Sequence, residues 1–408
     1  MKLVKSLLLG SAAGLVAVAG ASAADLGVKK PSAVEYVKTC PTYGAGFFVV
    51  PGTTSCLKLI GRVRADYIFN NDTNRQADKN TFRARGYLGY DHRTATEYGL
   101  LRTYVRAYIA RDNAGAYAPV LEYAFIQFGG LTVGRVTPVF EHGWNPNFIG
   151  SGSIGGHSDI SYVNSIGYTF NFGGGFSATV ALDSANERRT NLVGTGYGGQ
   201  ALPDVVGKLA YDAAWGSVFV AGAVHQLRDG IKGAAGTFAS TKYGYAGTVG
   251  AKFNIPMLAK GSNLWLNASV ADGASSYTGF GATGTVGGYT VTFSDATWVA
   301  ASNSLRTTRT WAITGGLQAY VTPTVWVQLA GSYAVHDAFG ANNTVRASTI
   351  VGTVGWTPVA GFLIGGEVAY RSLSGRTAGV GAPLVVTNAL SGNDKNDWTG
   401  RIRFQRDF

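Results

Sequence analysis

The amino-acid sequence predicts an all-β fold, a transmembrane antiparallel β-barrel of about 16 strands. Composition is the first observation behind this prediction. Glycine supplies 58 of the 408 residues and aromatic residues supply 12%, whereas charged residues supply 14%, against ~25% in a soluble domain. The second is an alternation of apolar and polar residues with a period of two along most of the chain. The third is that no apolar run after residue 23 is long enough for a membrane-spanning helix.

The first 23 residues have the three parts of a secretory signal peptide. A positive start at Lys2 and Lys5 precedes an apolar stretch at 7–20, and Ala21–Ala23 is a cleavage site of small residues. We therefore expect an exported chain whose mature part begins near Ala24. Any membrane-spanning segment of the mature chain is then expected to be a strand rather than a helix.

Two cysteines, Cys40 and Cys56, lie in the N-terminal segment 24–56. In an oxidising compartment such a pair usually forms a disulfide. A metal site is the weaker interpretation, because no histidine or further cysteine lies nearby. A redox-active pair is weaker still, because the C-x-x-C spacing is absent. We expect a structural disulfide that closes this segment before the barrel domain of residues 57–408.

The strand series begins with three strongly amphipathic segments. Leu57–Phe69 alternates apolar residues with charged ones such as Lys58 and Arg62, and both Thr81–Asp91 and Gly99–Ala110 repeat the pattern. Successive strand side chains point to opposite faces, so each segment has an apolar face and a charged face. Similar runs continue almost to the C-terminus, and counting them gives sixteen or seventeen candidate strands. Single-chain bacterial barrels have even strand numbers, which favours 16 strands.

Connections of two kinds separate the predicted strands. Short ones such as Gly129-Gly130 and Thr322-Pro323 alternate with long polar ones such as Ser184–Pro203 and Asp229–Thr241. Barrels with periplasmic turns and external loops show this alternation. The Gly- and Thr-rich stretch Ala271–Ala301 fits the strand pattern poorly. No Pro-rich or charged linker interrupts the series, which predicts a single barrel domain.

The last strand carries a further signal. Asp397–Phe408 alternates Trp398, Ile402 and Phe404 with polar residues, and the sequence ends on Phe408. A terminal aromatic residue on an amphipathic last strand resembles the recognition tag of outer-membrane barrels. We expect Phe408 to be a C-terminal assembly signal that is read by the barrel assembly machinery.

Two stretches resemble a known family. Val34–Asp66 reads VEYVKTCPTYGAGFFVVPGTTSCLKLIGRVRAD, in which two cysteines bracket Y-G-A-G and P-G-T, and Phe125–Thr137 reads FIQFGGLTVGRVT. Both are similar to segments of the alphaproteobacterial general porin family. The resemblance implies a homotrimer of 16-stranded barrels in the outer membrane of a Gram-negative cell, each with an inward-folded third external loop. It also implies passive diffusion of small hydrophilic solutes and ions, and contact with outer-membrane lipids and lipopolysaccharide.

The charge pattern predicts where such a pore is narrowest. A lipid-facing arginine costs roughly 2–4 kcal/mol at the bilayer midplane, so arginines that alternate with apolar residues in the middle of these strands are predicted to face the lumen. The basic wall predicted in this way consists of Arg62, Arg64, Arg83, Arg85, Arg102, Arg106 and Arg135. The segment Val139–Ser161 is the candidate inward loop, and it carries Glu141 and Asp159 but no lysine or arginine.

Opposed basic and acidic surfaces would create a transverse field, which orients water and dipolar solutes and sets ion preference. The alternative is that the arginines only fill the wall and pair with Asp66, Asp91 and Glu122. The formal net charge is +11, or +9 without Lys2 and Lys5 of the signal peptide. It favours anions weakly, and external acids or lipopolysaccharide could reverse this preference.

Other kinds of site are not favoured by the sequence. The G-x-G-x-x-G segments at 194–199 and 279–284 do not open a helix within a βαβ unit, which argues against a nucleotide cofactor. No G-x-S-x-G motif occurs, and His225 and His336 have no serine or acid beside them in a catalytic arrangement. The arginines alternate on strands of an exported chain, which argues against nucleic acid. We predict no catalytic residue, no cofactor and no enzyme activity.

A metal site is also not predicted, since Glu141, His142, His157 and Asp159 fit no compact ligand motif. Two other classes stay open besides a pore. An outer-membrane barrel enzyme would need a Ser/His pair at the lipid boundary, and a structural barrel or adhesin would have a plugged lumen.

Overall fold

The computed structural model describes residues 38–71, 78–113, 115–141, 161–233, 236–340, 343–375 and 395–408. The chain divides into two units, the first ending at Val49 and the second beginning at Val50. In the first, a 3-10 turn at Pro41–Tyr43 precedes the two-residue strand Phe48–Val49. The amide of Cys40 donates to the carbonyl of Phe47 (2.9 Å). Both cysteines of the chain are disulfide-bonded, which confirms the predicted disulfide.

The second unit is a closed antiparallel barrel of 16 strands. Each strand pairs with the next along the chain, and the last pairs with the first from Asn70↔Thr399 to Arg62↔Asp407. We number the barrel strands in chain order as β1 (Cys56–Asn70), β2 (Asn80–Thr96), β3 (Gly99–Asp112), β4 (Ala118–Phe128), β5 (Leu131–Val136), β6 (Val163–Gly173), β7 (Phe176–Asp183), β8 (Asp204–Ala213), β9 (Gly216–Leu227), β10 (Lys242–Asn254), β11 (Asn263–Asp272), β12 (Arg309–Tyr320), β13 (Val325–Asp337), β14 (Thr344–Val359), β15 (Phe362–Gly375) and β16 (Lys395–Asp407).

The period-two pattern of the sequence sorts side chains between the two faces of this barrel. On β1, Leu59 is 64% exposed on the outer face, whereas Asp66 is buried on the inner face. On β16, Ile402 and Phe404 are exposed and Arg403 is buried. Aromatic and β-branched residues suit such a pleated surface. The outer face is therefore an apolar belt, as the composition predicts.

Short turns join the strands at one end of the barrel and longer connections join them at the other. The longer connections include loop 3 (137–162), loop 4 (184–203), loop 5 (228–241) and loop 6 (273–308). Loop 6 contains most of the Gly- and Thr-rich stretch that fits the strand pattern poorly. Loops 4 and 6 hold the short strands Leu192–Val193, Thr283–Val286, Tyr289–Thr292, Ala296–Val299 and Ser304–Thr307 and the 3-10 turns Ala185–Arg188, Ser275–Thr278 and Ala300–Ser302.

Gly61 pairs with the C-terminal residue at the closing seam of the barrel. The amide of Gly61 donates to the carbonyl of Phe408 (2.9 Å), and the amide of Phe408 donates back to Gly61 (3.0 Å). The Phe408 ring covers this glycine, so a Cβ at position 61 would lie 2.1 Å from the ring. A larger residue here would have to displace the terminal aromatic ring. Within the described residues, no helix has the length and apolarity needed to cross a membrane.

Candidate functional site

Six of the seven predicted wall arginines lie together on the inward face of β1, β2 and β3. We call this set the arginine ladder: Arg62, Arg64, Arg83, Arg85, Arg102 and Arg106. Strand register brings them together, because Arg64 lies directly opposite Arg85. Their side chains are partly open to the lumen, as the 26% exposure of Arg62 and the 21% exposure of Arg106 show.

Carboxylates on the same strands and on β4 hold most of the arginine ladder in place. An oxygen of Asp112 lies 2.8 Å from Nη2 of Arg83 and 3.7 Å from Nη2 of Arg85. Asp91 accepts from Nε of Arg102 at 2.9 Å. Bonds between a guanidinium and a carboxylate are among the stronger and more directional hydrogen bonds in proteins. The arginine positions are therefore fixed rather than free to rotate.

Tyrosine rings separate neighbouring arginines of the ladder. The guanidinium carbons of Arg62 and Arg64 lie 5.5 and 5.4 Å from the centre of the Tyr87 ring. Arg85 lies 4.8 Å above Tyr108 in the same way. A cation within ~6 Å of an aromatic ring centre is attracted by the ring face. The rings thus offset part of the repulsion between like charges.

The last strand extends the charged surface beyond the predicted residues. Arg403 on β16 donates to Asp66 through Nε at 2.6 Å, and Arg401 lies 3.9 Å from the same carboxylate. Arg64 also donates to Gln405 at 3.1 Å, and Arg62 pairs with Asp407. The sequence shows the polar face of β16. The pairing partners depend on the closing register, which local pattern does not supply.

These contacts can be compared with the alternative in which the arginines only fill the wall and pair with Asp66, Asp91 and Glu122. Glu122 is bound by Arg106 and Asp91 by Arg102, as that alternative expects. Asp66 is bound by Arg403, which lies outside the predicted wall. The ladder arginines are therefore paired with carboxylates and are also partly exposed on the inward face.

Arg135 stands apart from the ladder. Its Nη1 lies 2.6 Å from Glu187 in loop 4, and its Nε donates to the carbonyl of Leu121 at 3.0 Å. Glu187 also accepts the amide of Asn164 on β6 (3.1 Å). Arg135 therefore joins loop 4 to the barrel wall.

Loop 3 is described only at its two ends, and Asp159 lies outside the described residues. At the first end, Phe140 is 3% exposed, and its ring centre lies 4.8 Å from that of Tyr277 in loop 6. The carbonyl of Glu141 accepts from Nζ of Lys208 on β8 at 2.7 Å. At the other end, Tyr162 packs edge-on against Tyr123 at 4.8 Å, and burial raises the pKa of Tyr162.

A polar cluster joins loops 4 and 6 to β8 and β9, and its members are fully buried except Tyr197, which is partly buried. Asp204 lies 2.8 Å from Nδ1 of His225 and accepts the hydroxyl of Tyr277 at 2.8 Å. The hydroxyl of Tyr197 lies 3.1 Å from Nε2 of His225 and donates to Asp295 at 2.7 Å. Burial raises the pKa of Tyr197 and of Tyr277 well above the usual value.

This cluster brings an acid, Asp204, beside His225, which the sequence alone does not show. Asp204 is distant in sequence and adjacent in space, so only the strand register reveals the pair. The side chains of both residues are fully buried, with no exposed surface for a substrate. The cluster has the character of a structural anchor.

Residues 25–401 match a family described as a porin subfamily. The chain belongs to this porin family. It is 32% identical to porin Omp2b of Brucella suis biovar 1 and to that of Brucella abortus, over 99% of both chains in each comparison. The resemblance to porins that two short stretches indicate is thereby confirmed.

Solved structures show the same fold. The porin aligns with the outer-membrane channel DcaP of Acinetobacter baumannii at a TM-score of 0.65 and 18% identity, over 87% of this chain and 97% of that one. It aligns with Salmonella typhi OmpF at a TM-score of 0.54 and 14% identity, over 87% and 98%. A closed 16-stranded barrel in the porin family is an outer-membrane channel for passive diffusion. The family points to a channel and not to an enzyme.

Proposed function

We propose that this porin narrows between the arginine ladder and loop 3, so that small hydrophilic solutes and ions cross a transverse electric field. The observation that carries the proposal is the ladder itself, six arginines on three adjacent strands with partly open side chains. Glu141 and Asp159 of loop 3 supply the opposing negative charge. The contacts of Phe140 and Tyr162 support an inward path for loop 3, since Phe140 packs on Tyr277 of loop 6 and Tyr162 packs on Tyr123, an inward residue of β4.

Arginines outnumber carboxylates on the inward face of β1 to β4. The arginines on the inward face of β1 to β4 are Arg62, Arg64, Arg83, Arg85, Arg93, Arg102 and Arg106, and the carboxylates there are Asp66, Asp91, Asp112 and Glu122. Rings or walls of fixed charge attract the opposite ion and repel the like ion. We infer that the channel passes small anions more readily than cations of the same size.

The assembly of the porin follows from its family and its sequence. We infer a cleaved signal peptide at 1–23, an N-terminal segment at 24–56 held by the disulfide of Cys40 and Cys56, and a barrel domain at 57–408. A homotrimer is the form we propose. A structure of OmpT of Vibrio cholerae with the same fold is described as a trimer form. Phe408 would be read by the barrel assembly machinery, and outer-membrane lipids and lipopolysaccharide would surround the apolar belt.

Planar-bilayer recording across a salt gradient tests the proposed constriction. The purified porin should give stepwise conductance with a reversal potential on the anion-selective side. In the Arg83→Ala/Arg85→Ala variant, the reversal potential should move toward cation selectivity, because two lumen charges are lost. The matched control is Arg111→Ala/Arg406→Ala, which removes the same charge from exposed outward positions.

Two results would count against the proposal. If the Arg83→Ala/Arg85→Ala variant and the control have the same reversal potential as the unmodified porin, these arginines do not lie at the constriction. Persistent absence of stepwise conductance would favour a structural barrel with a plugged lumen.

A further inference from the structure

We propose that loop 6 is a second pore-narrowing element, a fixed hairpin that covers the inner wall of β12 to β15 and confines solutes to the side of the arginine ladder. The hairpin is formed by Thr283–Val286 and Tyr289–Thr292. The inference deepens the proposed constriction and rests on the lumen being open along the ladder.

The inner wall that loop 6 covers differs in chemistry from the arginine ladder. The inward positions that pack against loop 6 carry small or apolar residues, including Ala312 on β12, Ala334 on β13, Ala347 on β14 and Leu373 on β15, whereas Glu367 on β15 is a buried inward carboxylate outside this cluster. Ala334 is 0% exposed, although it points into the barrel. Along the arginine ladder, by contrast, the inward side chain of Arg62 is 26% exposed.

Apolar side chains of loop 6 cover this wall. Phe280, Val286, Val291 and Phe293 form one buried cluster with the wall residues. The rings of Phe280 and Phe293 lie 5.3 and 5.1 Å from that of His336, an inward residue of β13. Burial of large apolar side chains is favourable because it removes apolar surface from water. The cluster therefore holds the loop against the wall and excludes water from it.

The tip of the hairpin reaches across to the last strand. The amide of Gly287 donates to Oδ2 of Asp397 at 3.0 Å. Nζ of Lys395 lies 4.0 Å from the centre of the Tyr289 ring. Loop 6 begins after β11, so these contacts with β16 carry it over β12 to β15.

The base of the hairpin is fixed by Asp295, which is fully buried. Its carboxylate accepts the hydroxyl of Tyr197 at 2.7 Å and the amide of Thr190 at 2.8 Å, both from loop 4. It also accepts the amide of Ser275 at 2.7 Å. A buried carboxylate with three donors is well satisfied and costly to move. Loop 6 is therefore a permanent part of the lumen wall.

Loop 6 also contacts loop 3, through the rings of Tyr277 and Phe140. We infer that the described part of loop 6 lies on the side of the lumen away from the arginine ladder. A solute that avoids loop 6 passes close to the ladder, where the fixed positive charge acts most strongly. In this arrangement, loop 6 raises charge selectivity by removing the route farthest from the ladder.

Excision of the hairpin tests this arrangement. The amide of Phe293 donates to the carbonyl of Ala282 at 3.1 Å, so Thr283–Thr292 can be replaced by an Asn-Gly turn. We expect a higher single-channel conductance and a weaker anion preference. The control replaces 256–261 of the β10–β11 turn in the same way, where Ile255 donates to Ser262 at 2.8 Å.

Thiol labelling of the intact loop gives a second readout, independent of how well the excised variant folds. The native cysteines are disulfide-bonded, so only an introduced thiol reacts. In Ala334→Cys the thiol should resist a water-soluble reagent, whereas in Gln127→Cys, on the inward face of β4, it should react. Equal labelling of the two variants would overturn the proposal, as would an unchanged conductance after excision. If the reversal potential of Arg83→Ala/Arg85→Ala is unchanged while excision still raises the conductance, the ladder proposal fails and the pore-narrowing role of loop 6 stands without its effect on charge selectivity.

Discussion

Nε of Arg106 on β3 lies 2.6 Å from Oε2 of Glu122, the extra residue that a β-bulge inserts into β4. The register passes from Arg106↔Tyr123 to Ala107↔Leu121, which leaves Glu122 without a cross-strand partner. Bulges often re-aim a side chain beside a functional site. Here the bulge brings the nearly buried Glu122 carboxylate against Arg106, and this contact reduces the effective positive charge of Arg106.

Neutralising either member of this pair should change ion selectivity, with opposite signs. Glu122→Gln leaves the charge of Arg106 uncompensated and should shift the reversal potential toward anions. Arg106→Gln leaves a carboxylate in the lumen and should shift it toward cations. Reversal potentials across a salt gradient measure both. Shifts of the same sign, or none, would show that the pair lies outside the conducting path.

Loss of the disulfide should lower stability. In Cys40→Ser/Cys56→Ser, the unfolded chain gains conformational freedom, and closure of a loop of this length contributes about 3 kcal/mol. The temperature at which the barrel loses its compact form in detergent gels should fall. Reductant should lower it for the unmodified porin and leave the variant unchanged. An equal response of both proteins would contradict the role given to the disulfide.

Closure of the barrel should be sensitive to side-chain size at Gly61. In Gly61→Val, the new side chain collides with the Phe408 ring and should reduce the yield of folded barrel. Gly86→Val is the matched control, because a Cβ at position 86 meets no atom within 4 Å. Heat-modifiable mobility in gels reports the folded fraction. Equal folded fractions in the two variants would show that the packing of the Phe408 ring on Gly61 is not needed for closure of the barrel.

The buried tyrosines of loops 4 and 6 should resist ionisation. Burial raises the pKa of Tyr197 and Tyr277 well above 10, so their contribution to stability is complete below pH 10. Above that pH the unfolded chain ionises first, and this contribution is lost as the pH rises toward the folded-state pKa. The difference in tyrosinate absorbance between the porin and Tyr197→Phe/Tyr277→Phe measures this. A difference signal that titrates near pH 10 would show that both hydroxyls are exposed.

Much of the barrel is predictable from the sequence because the alternation of side chains in a strand is a local pattern with a period of two. The inward arginines follow directly, since a charge that alternates with Leu59 or Val63 can only face the lumen. The disulfide and the long and short connections also follow from local residues.

Pairing between distant residues does not follow from local pattern. Arg403 binds Asp66 across the closing seam, and Asp204 binds His225 through strand register. Loop 6 is the clearest case. Its Gly and Thr content resembles a surface loop, and its path is set by Phe280, Phe293 and Asp295, whose partners lie on other strands and loops.

Chemical modification at Arg85 during single-channel recording tests the central claim most directly. In Arg85→Cys, a bulky water-soluble thiol reagent should reduce the current in discrete steps, because the thiol lies on the conducting path. Leu88→Cys, at an outward position on the same strand, should keep its full current under the same treatment. Modification of the Arg85→Cys thiol without any change in current would contradict a pore that runs along the arginine ladder.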